Sequence, residues 1–220
     1  MLVVFCLPGP QYSGRFLKNW TDLTQSLRQK GIEFVLKQKY SSMVHYARMG
    51  CLDGDTIFGE KQMPFQGKIP YDRIMWIDSD IDFRPEDFYT LLETDLPIVS
   101  GMYKMQNEQT GNSEYAVKLL GREGYLTDQY IQKEAMQNTI QPVDFAGMGW
   151  MLIKRGVIES MEYPWFRSVT VREQREDMPY ITTELQSEDV YFCRRANALG
   201  HQCFVHTGCK VGHEKTIVLR

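Results

Sequence analysis

The stretch RIMWIDSDIDFRPEDF, residues 73–88, sets acidic residues directly after an apolar strand. Residues 74–77 are all apolar, as expected of a strand that is buried on both faces. Asp78 and Asp80 follow at alternate positions, and an extended backbone would turn both side chains to the same side. Ligands of open α/β sheets bind beyond the carboxyl ends of the strands. Because two neighbouring carboxylates repel each other unless a cation lies between them, the pattern predicts a divalent metal site.

Other interpretations of these acids are weaker. A calcium loop of the EF-hand type would need glycine and glutamate where Phe83 and Tyr89 stand, so that site is excluded. Asp82 is interpreted as a turn or capping acid before the helix that Pro85 opens, with a role as third metal ligand as the alternative. An Asp-x-Asp sequence also occurs in solvated loops, and the preceding apolar strand is what favours a metal site here.

Strand and helix patterns alternate along the first half of the chain. The apolar runs 2–7, 32–36, 74–77 and 96–100 predict strands, and helical periodicity lies between successive runs. This alternation predicts an α/β fold with a parallel sheet covered by helices on both faces. No repeat or linker is evident, so a single domain is expected, with a nucleotide-type half over residues 1–105 and a more variable half over 106–220.

Composition excludes several classes of protein. The chain has 220 residues and a net charge of −3, so it lacks the basic surface of a nucleic-acid binder. Its five cysteines are scattered and form no CxxC pair, which predicts reduced thiols and a cytoplasmic protein. No apolar run reaches membrane length, so no transmembrane segment is expected.

A second group of candidate residues lies near the end of the sequence. In SEDVYFC, residues 187–193, Glu188 and Asp189 stand at the start of a predicted helix, where acids also simply offset the helix dipole. In KVGHEK, residues 210–215, His213 and Lys215 follow a predicted strand, although a lone histidine is more often structural.

The order of these motifs resembles that of the GT-A nucleotide-sugar glycosyltransferases. The sequence has an Asp-x-Asp after a strand, a Glu-Asp helix start about 110 residues later and a late Gly-His. The segment VDFAGMGWMLIKRGVIESM, residues 143–161, resembles the family's Gly-rich acceptor segment, and YSSMVHYARMGCL, residues 40–52, its nucleotide-side helix. The closest likeness is to small GT-A proteins of large DNA viruses and bacteriophages. The resemblance implies a Rossmann-like GT-A fold with a mixed, mainly parallel sheet in one domain.

The resemblance also implies roles for individual residues. The expected metal ligands, for Mn²⁺ or Mg²⁺, are Asp78, Asp80 and His213, with His206 in reserve. Nucleotide and diphosphate contacts are expected from Leu7, Pro8, Tyr12, Arg48, Asp78, Ser79 and Lys215. Sugar and acceptor contacts are expected from Tyr103, Lys104, Gly147, Gly149 and Trp150. The expected catalytic carboxylates are Asp189 and, as second choice, Glu188.

The implied reaction moves a sugar from a nucleoside-diphosphate donor to a hydroxyl group of a glycan or glycoprotein. A cation held by the metal ligands would neutralise the charge that builds on the diphosphate, and Asp189 or Glu188 would accept the proton of the acceptor hydroxyl. The family's commonest donors favour UDP. Inversion and retention of the anomeric configuration both remain open.

Two alternatives use the same kind of fold. A sugar nucleotidyltransferase would carry a Gly-rich, basic loop after its first strand, whereas PGPQYSGR, residues 8–15, has two glycines and the single basic residue Arg15. A non-catalytic carbohydrate-binding protein would have lost the site residues, which are all present here. Both alternatives are therefore weaker than the glycosyltransferase.

Overall fold

Strands and helices alternate through the first half of the chain, as the sequence predicts. The computed structural model describes residues 1–106, 111, 113–174 and 181–215. Its strands are β1 (Leu2–Pro8), β2 (Glu33–Lys39), β3 (Arg73–Ile77), β4 (Ile81–Asp82), β5 (Ile98–Met102), β6 (Lys104–Gln106), β7 (Ser113–Tyr115), β8 (Val117–Leu119), β9 (Ile140–Ala146), β10 (Trp150–Lys154), β11 (Val169–Gln174), β12 (Ile181–Gln186), β13 (Cys203–Lys210) and β14 (Gly212–His213). Its α-helices are α1 (Gly14–Gln29), α2 (Val44–Cys51), α3 (Pro85–Leu92), α4 (Asp128–Lys133) and α5 (Glu188–Ala198), with 3₁₀ turns at Thr56–Phe58, Pro64–Gly67 and Ile158–Ser160.

Local sequence signals account for the ends of α1. The hydroxyl of Ser13 accepts a hydrogen bond from the backbone N–H of Phe16 at 3.0 Å, which satisfies one of the free donors of the first turn. At the other end Gly31 adopts a φ of 66°, a conformation that costs glycine little. The apolar stripe of α1, including Leu23 and Leu27, is buried between these ends.

The central sheet has eight strands in the order β2-β1-β3-β10-β5-β13-β9-β8. Strands β2, β1 and β3 pair in parallel, as do β5 and β13, while β10 and β9 are antiparallel to each of their neighbours. Six of the eight strands therefore point in one direction. This is the mixed, mainly parallel sheet that the resemblance implies.

The position of β10 differs from what the alternation alone predicts. The Gly-Met-Gly segment carries the chain from β9 to β10, which runs in the same direction as β9 and inserts antiparallel between β3 and β5. Consecutive parallel strands of the first half are thus separated by a strand from the second half. Hydrophobic periodicity identifies each strand but carries no information about its neighbours.

Helices cover both faces of the sheet. One apolar layer contains α1 and α3, with Leu23 and Phe88 against Phe5 and Leu152. The other contains the buried residues of α2 and α5, including Phe192. The continuous burial of β1 and β3 follows from this double covering.

Three short strand pairs lie outside the sheet. Strand β4 pairs with β14, β6 with β7, and β11 with β12, all antiparallel. The pairing of β14 with β4 matters most for function, because it carries the segment around His213 back to the acids that follow β3. All five cysteines are buried thiols. Among the described helices, none has the length and apolar character needed to cross a membrane.

Candidate functional site

Asp78 and Asp80 face different partners. Strand β3 ends at Ile77, and residues 79 and 80 form a turn closed by a hydrogen bond from the Ile81 N–H to the Asp78 carbonyl at 3.1 Å. The extended backbone therefore does not continue through the Asp-x-Asp motif. The two carboxylates line the same small cavity but have different hydrogen-bond partners, Arg48 for Asp78 and His213 for Asp80.

Asp78 is held by a buried arginine. Both oxygens of its carboxylate accept hydrogen bonds from Arg48, from Nη1 and Nη2 at 3.0 Å each. The Nε of the same guanidinium donates to Glu188 Oε1 at 3.1 Å. Burial acts to lower the pKa of Arg48, but the carboxylates of Asp78 and Glu188 outweigh it and raise that pKa. Arg48 thus ties β3, α2 and α5 together, and its donors face these carboxylates.

Asp80 instead meets the histidine from the end of the sequence. Its Oδ2 lies 2.9 Å from His213 Nε2. The approach is fixed by the pairing of β14 with β4 and by the Glu214 N–H, which donates to the Asp80 carbonyl at 2.7 Å. Burial acts to raise the pKa of Asp80, but its partners His213 and Lys215 prevail and hold that pKa below its usual value.

The ring of His213 is oriented from both sides. Its Nδ1 lies 2.8 Å from the Lys104 carbonyl, which can only accept, so Nδ1 carries a proton. Nε2 is 2.7 Å from the ammonium of Lys215, which itself lies 3.2 Å from Asp80 Oδ2. An ammonium group therefore touches both the carboxylate and the imidazole nitrogen, as a cation bound between them would.

The donor set of Asp80 and His213 fits a divalent cation. One carboxylate oxygen and one imidazole nitrogen suit Mn²⁺, with Mg²⁺ also accommodated. Adjacent ligands of an octahedral cation with bonds of about 2.1 Å lie about 3 Å apart, and the observed separation is 2.9 Å. The Lys104 carbonyl orients the imidazole as an outer partner of a metal ligand would. Within the described ranges, no three His, Cys, Asp or Glu side chains are grouped for metal binding, so Asp78 is not part of such a group.

Two cavities open beside Asp80, and both are lined by Pro10, Ser79 and Asp80 itself. The larger, of about 640 Å³, also contacts Tyr12, Arg15 and Lys215. The smaller, of about 270 Å³, extends past Pro8 towards Tyr40 and Ala47. We call them the Asp80 cavities.

The loop after β1 shapes these cavities. Gly9 has a φ of 153°, and a Cβ there would lie 2.5 Å from the Cβ of Ser79, so only glycine allows this approach. The hydroxyl of Tyr12 donates to the Leu7 carbonyl at 2.8 Å, which folds the loop back. Leu7 and Pro8 are buried, and of the two only Pro8 lines an Asp80 cavity, the smaller one, whereas Tyr12 lines the larger.

The acidic pair at the start of α5 divides into two environments. Glu188 is buried and accepts from Arg48. Asp189 is half-buried, and its Oδ1 accepts from the Val190 N–H at 2.8 Å and from the Ser187 hydroxyl. Within the part of the chain that the structure describes, no donor meets Oδ2 of Asp189. This oxygen is therefore open to a ligand, whereas Glu188 is engaged by Arg48.

Tyr103 connects the two ends of the site. Its ring packs edge-on against His213, with centroids 5.2 Å apart, and its hydroxyl accepts from the Gly149 N–H at 3.3 Å. Burial, with the nearby carboxylates of Asp78 and Asp189, raises the pKa of Tyr103. Gly147 and Gly149 make room for the ring, because a Cβ at Gly147 would lie 2.0 Å from the Tyr103 hydroxyl oxygen.

Two expected sugar contacts lie elsewhere. Trp150 is fully buried and stacks on Phe83 at 4.8 Å, so its ring belongs to the core and is closed to a sugar. The ammonium of Lys104 turns away to Asp128 at 2.7 Å, and it is the Lys104 carbonyl that faces His213. His206, the reserve metal ligand, accepts at Nδ1 from the Gly208 N–H on β13.

Sequence reasoning missed several residues of the site. Tyr40 lines the smaller Asp80 cavity, and Arg15 and Glu214 line the larger one. Arg15 also pairs with Asp82 at 3.1 Å, and Asn19 donates to Asp82 at 2.7 Å, which supports the structural interpretation of that acid. Arg15 could have been noticed as the single basic residue of the segment after the first strand, whereas nothing in the sequence marks Tyr40.

The fold is an α/β fold of the GT-A type, as the resemblance implied. No family profile matches the sequence, and no curated protein matches it. Among solved structures, A197 from STIV superposes with a TM-score of 0.52 at 16% identity, covering 100% of this chain and 97% of that one. That likeness concerns the fold alone.

Two further solved structures superpose less closely. GalNAc-T7 with UDP, GalNAc and Mn²⁺ gives a TM-score of 0.46 at 10% identity, covering 96% of this chain and 43% of that one. The inositol-1-phosphate CTP transferase from T. maritima gives 0.44 at 13% identity, covering 97% and 88%.

Proposed function

We propose that this chain is a metal-dependent glycosyltransferase that moves a sugar from a nucleoside diphosphate, with UDP as the expected nucleotide, to a hydroxyl group of a glycan or glycoprotein. The observation that carries the proposal is the contact between Asp80 Oδ2 and His213 Nε2 at 2.9 Å. Two groups 133 positions apart in the sequence meet at the carboxyl end of β3, where the Asp80 cavities open. This edge of the sheet is where α/β proteins bind nucleotides.

The donor would lie along the Asp80 cavities. The backbone at Leu7 and Pro8, the ring of Tyr12 and the Ser79 turn would receive the nucleoside. Asp80 and His213 would hold Mn²⁺ or Mg²⁺, and diphosphate oxygens and water would complete its coordination. Such a cation acts as a Lewis acid that neutralises the leaving diphosphate. Lys215 adds a mobile positive charge beside it.

Asp78 and Arg48 would support the site indirectly. Since the three donor nitrogens of Arg48 are directed at Asp78 and Glu188, this group would fix the end of β3 relative to α5. The two acids of the Asp-x-Asp motif would then have different roles. Asp78 would position the turn, and Asp80 would bind the cation.

Asp189 would act as the base. As the acceptor oxygen bonds to the anomeric carbon, its proton passes to Asp189 Oδ2. The bond between that carbon and the phosphate oxygen breaks, and its electron pair leaves with the nucleoside diphosphate. A base on the acceptor's side predicts inversion of the anomeric configuration, which NMR of the product's anomeric proton would test.

The test begins with binding. We expect UDP or GDP to raise the melting temperature of the protein more with Mn²⁺ than without it, because cation and diphosphate share a site. Asp80→Asn and His213→Ala should each remove that coupling, while His206→Ala, a matched change on β13, should keep it. Incubation with Mn²⁺ and UDP- or GDP-sugars should release the nucleoside diphosphate.

Other outcomes would contradict the proposal. Equal binding of UDP and GDP with and without Mn²⁺ would exclude the shared site. Pyrophosphate-dependent consumption of the nucleotide sugar would identify a nucleotidyltransferase. If no donor or nucleotide were bound or consumed, a non-catalytic carbohydrate-binding protein would be the better interpretation.

A further inference from the structure

A cavity distinct from the Asp80 cavities lies beside α5, the helix whose first turn carries Asp189. It has a volume of about 380 Å³ and is bounded by β8 and β9 at the edge of the central sheet, by the β11–β12 hairpin and by α5. We call it the Tyr125 cavity after the aromatic residue of its wall. Its volume lies in the usual range of small-ligand pockets.

Two aromatic rings form the apolar wall of the Tyr125 cavity. Tyr125 is 39% exposed, and its ring meets that of Phe145 edge-on, with centroids 5.8 Å apart. Phe145 is almost buried and holds the Tyr125 ring in place. An exposed, braced aromatic face of this kind offers a flat apolar surface at little cost in side-chain entropy.

The polar wall carries charges of both signs. Lys118, Arg194 and Glu184 line the cavity. Asp144 accepts from Arg194 Nη2 at 2.8 Å and lies 3.9 Å from the ammonium of Lys118. Two cationic groups thus face two carboxylates, and no single sign dominates. Such a wall supplies hydrogen-bond donors and acceptors to hydroxyl groups without selecting a charged ligand.

The Tyr125 cavity lies close to the Tyr103 side of the candidate site. Glu184 on β12 and Arg194 on α5 flank Asp189 in the sequence, and both line the cavity. Burial, followed by the carboxylates of Asp189 and Glu184, raises the pKa of Tyr125. Phe145 of the cavity wall stands two residues before Gly147, where a Cβ would lie 2.0 Å from the Tyr103 hydroxyl oxygen, and the Tyr103 ring packs on His213. The cavity therefore lies next to the candidate site on its Tyr103 side.

We propose that the Tyr125 cavity binds the acceptor, and that this acceptor is a neutral saccharide whose C–H face stacks on Tyr125. An apolar ring face combined with balanced polar groups matches an uncharged sugar, which has C–H bonds on one side and hydroxyl groups at its edge. The inference rests on the proposed function, because it gives Asp189 the hydroxyl group that the reaction deprotonates.

The test separates acceptor binding from donor binding. Neutral methyl glycosides of glucose, galactose, mannose and N-acetylglucosamine, with sialyllactose as the anionic comparison, would be screened by saturation-transfer NMR without any donor. At least one neutral glycoside should bind, and Tyr125→Ala should weaken its binding about tenfold, which corresponds to ~1.4 kcal/mol. Tyr125→Phe keeps the ring and should stay within about twofold.

Controls distinguish this inference from the proposed function. Tyr46→Ala removes an exposed tyrosine outside these cavities and should leave saccharide binding unchanged. The Mn²⁺-dependent melting shift with UDP or GDP reports on the donor site alone, so its loss would count against the proposed function. Saccharide binding unaffected by Tyr125→Ala, or preferential binding of sialyllactose, would overturn the inference.

Discussion

Arg48 donates hydrogen bonds to both carboxylate oxygens of Asp78 at 3.0 Å, and its Nε donates to Glu188 at 3.1 Å. The guanidinium is 3% exposed. One buried cation thus compensates two carboxylates from distant parts of the chain. The contact explains how the Asp-x-Asp turn and the Glu-Asp helix start are held in fixed positions relative to each other.

Removing this arginine should be strongly destabilising. Arg48→Ala leaves Asp78 and Glu188 facing each other without a counter-charge, so we expect a loss of about 3–5 kcal/mol in the free energy of unfolding. Arg48→Lys keeps the charge but loses the paired hydrogen-bond geometry, so its free energy of unfolding should lie between those of Arg48→Ala and the unmodified protein. Urea denaturation would measure both.

A surface ion pair provides the control for Arg48. Lys18 and Asp22 pair on the exposed side of α1, and Lys18→Ala should change stability by less than about 0.5 kcal/mol. A loss below about 1 kcal/mol for Arg48→Ala would mean that the buried network is not a major source of stability.

Lys215 should compete with a divalent cation. Its ammonium touches both Asp80 Oδ2 and His213 Nε2, so a metal must displace it. Lys215→Ala should therefore bind Mn²⁺ alone more tightly than the unmodified protein does. Because the displaced ammonium would add charge near the diphosphate, the same variant should bind UDP with Mn²⁺ less tightly.

Calorimetric titration would measure the two affinities for Lys215→Ala, with Lys210→Ala, an exposed lysine that pairs with Asp128, as the control. Weaker binding of Mn²⁺ alone by Lys215→Ala would contradict the competition.

The His213 contact should stabilise the metal-free protein more when His213 is protonated than when it is neutral. The hydrogen bond to Asp80 raises the pKa of His213 against the opposing effect of burial. A raised folded-state pKa gives stability that is complete below the unfolded value of about 6.5 and is lost as pH rises through the folded value. Asp80 remains ionised throughout, because its own pKa is lowered.

Melting temperatures of His213→Ala would check this sign. Relative to the unmodified protein, the variant should be most destabilised at about pH 5.5 and least at about pH 9. Burial lowers the pKa of His206, so His206→Ala should show the opposite trend and gain relative stability in acid. Identical pH profiles for the two variants would refute the assignment.

Gly147 should be intolerant of a methyl group. A Cβ there would lie 2.0 Å from the Tyr103 hydroxyl oxygen and 3.0 Å from the Ala116 Cβ. Gly147→Ala must therefore displace Tyr103, at about 1–3 kcal/mol, and should weaken Mn²⁺ binding because that ring packs on His213. At Gly14, the first residue of α1, a Cβ meets nothing within 4 Å.

Gly14→Ala is accordingly the matched control, and it should be neutral or stabilising by at most about 1 kcal/mol. Denaturation curves and Mn²⁺ titrations on both glycine variants would separate steric displacement from a general loss of glycine. Equal stability of the two variants would contradict the close approach.

Much of this architecture was predictable because its signals are local. The strand before Asp78 and the Glu188 helix start each depend on neighbouring residues, and both were recognised. Strand partners are decided by packing between distant segments, so the insertion of β10 and the β11–β12 hairpin had no local signature.

The residues of the candidate site can be divided in the same way, into those with a local sequence signal and those without one. Asp80 and His213 were identified from their motifs, and the structure brings them together. Asp78 was expected to hold the cation together with Asp80, but both of its carboxylate oxygens are paired with Arg48. Trp150 looked available because a glycine precedes it, yet a tryptophan within an apolar strand is usually buried. Tyr125 has no flanking motif, and only the folded cavity singles it out.

The pairing of β14 with β4 has a consequence for biosynthesis. During translation, the first 80 residues leave the ribosome long before residue 213 is joined to the chain. The carboxylate of Asp80 therefore lacks its imidazole partner until nearly all of the described polypeptide has been made. A nascent or prematurely terminated chain that ends before this residue would lack the histidine, so the cation-binding pair can form only after residue 213 has been added.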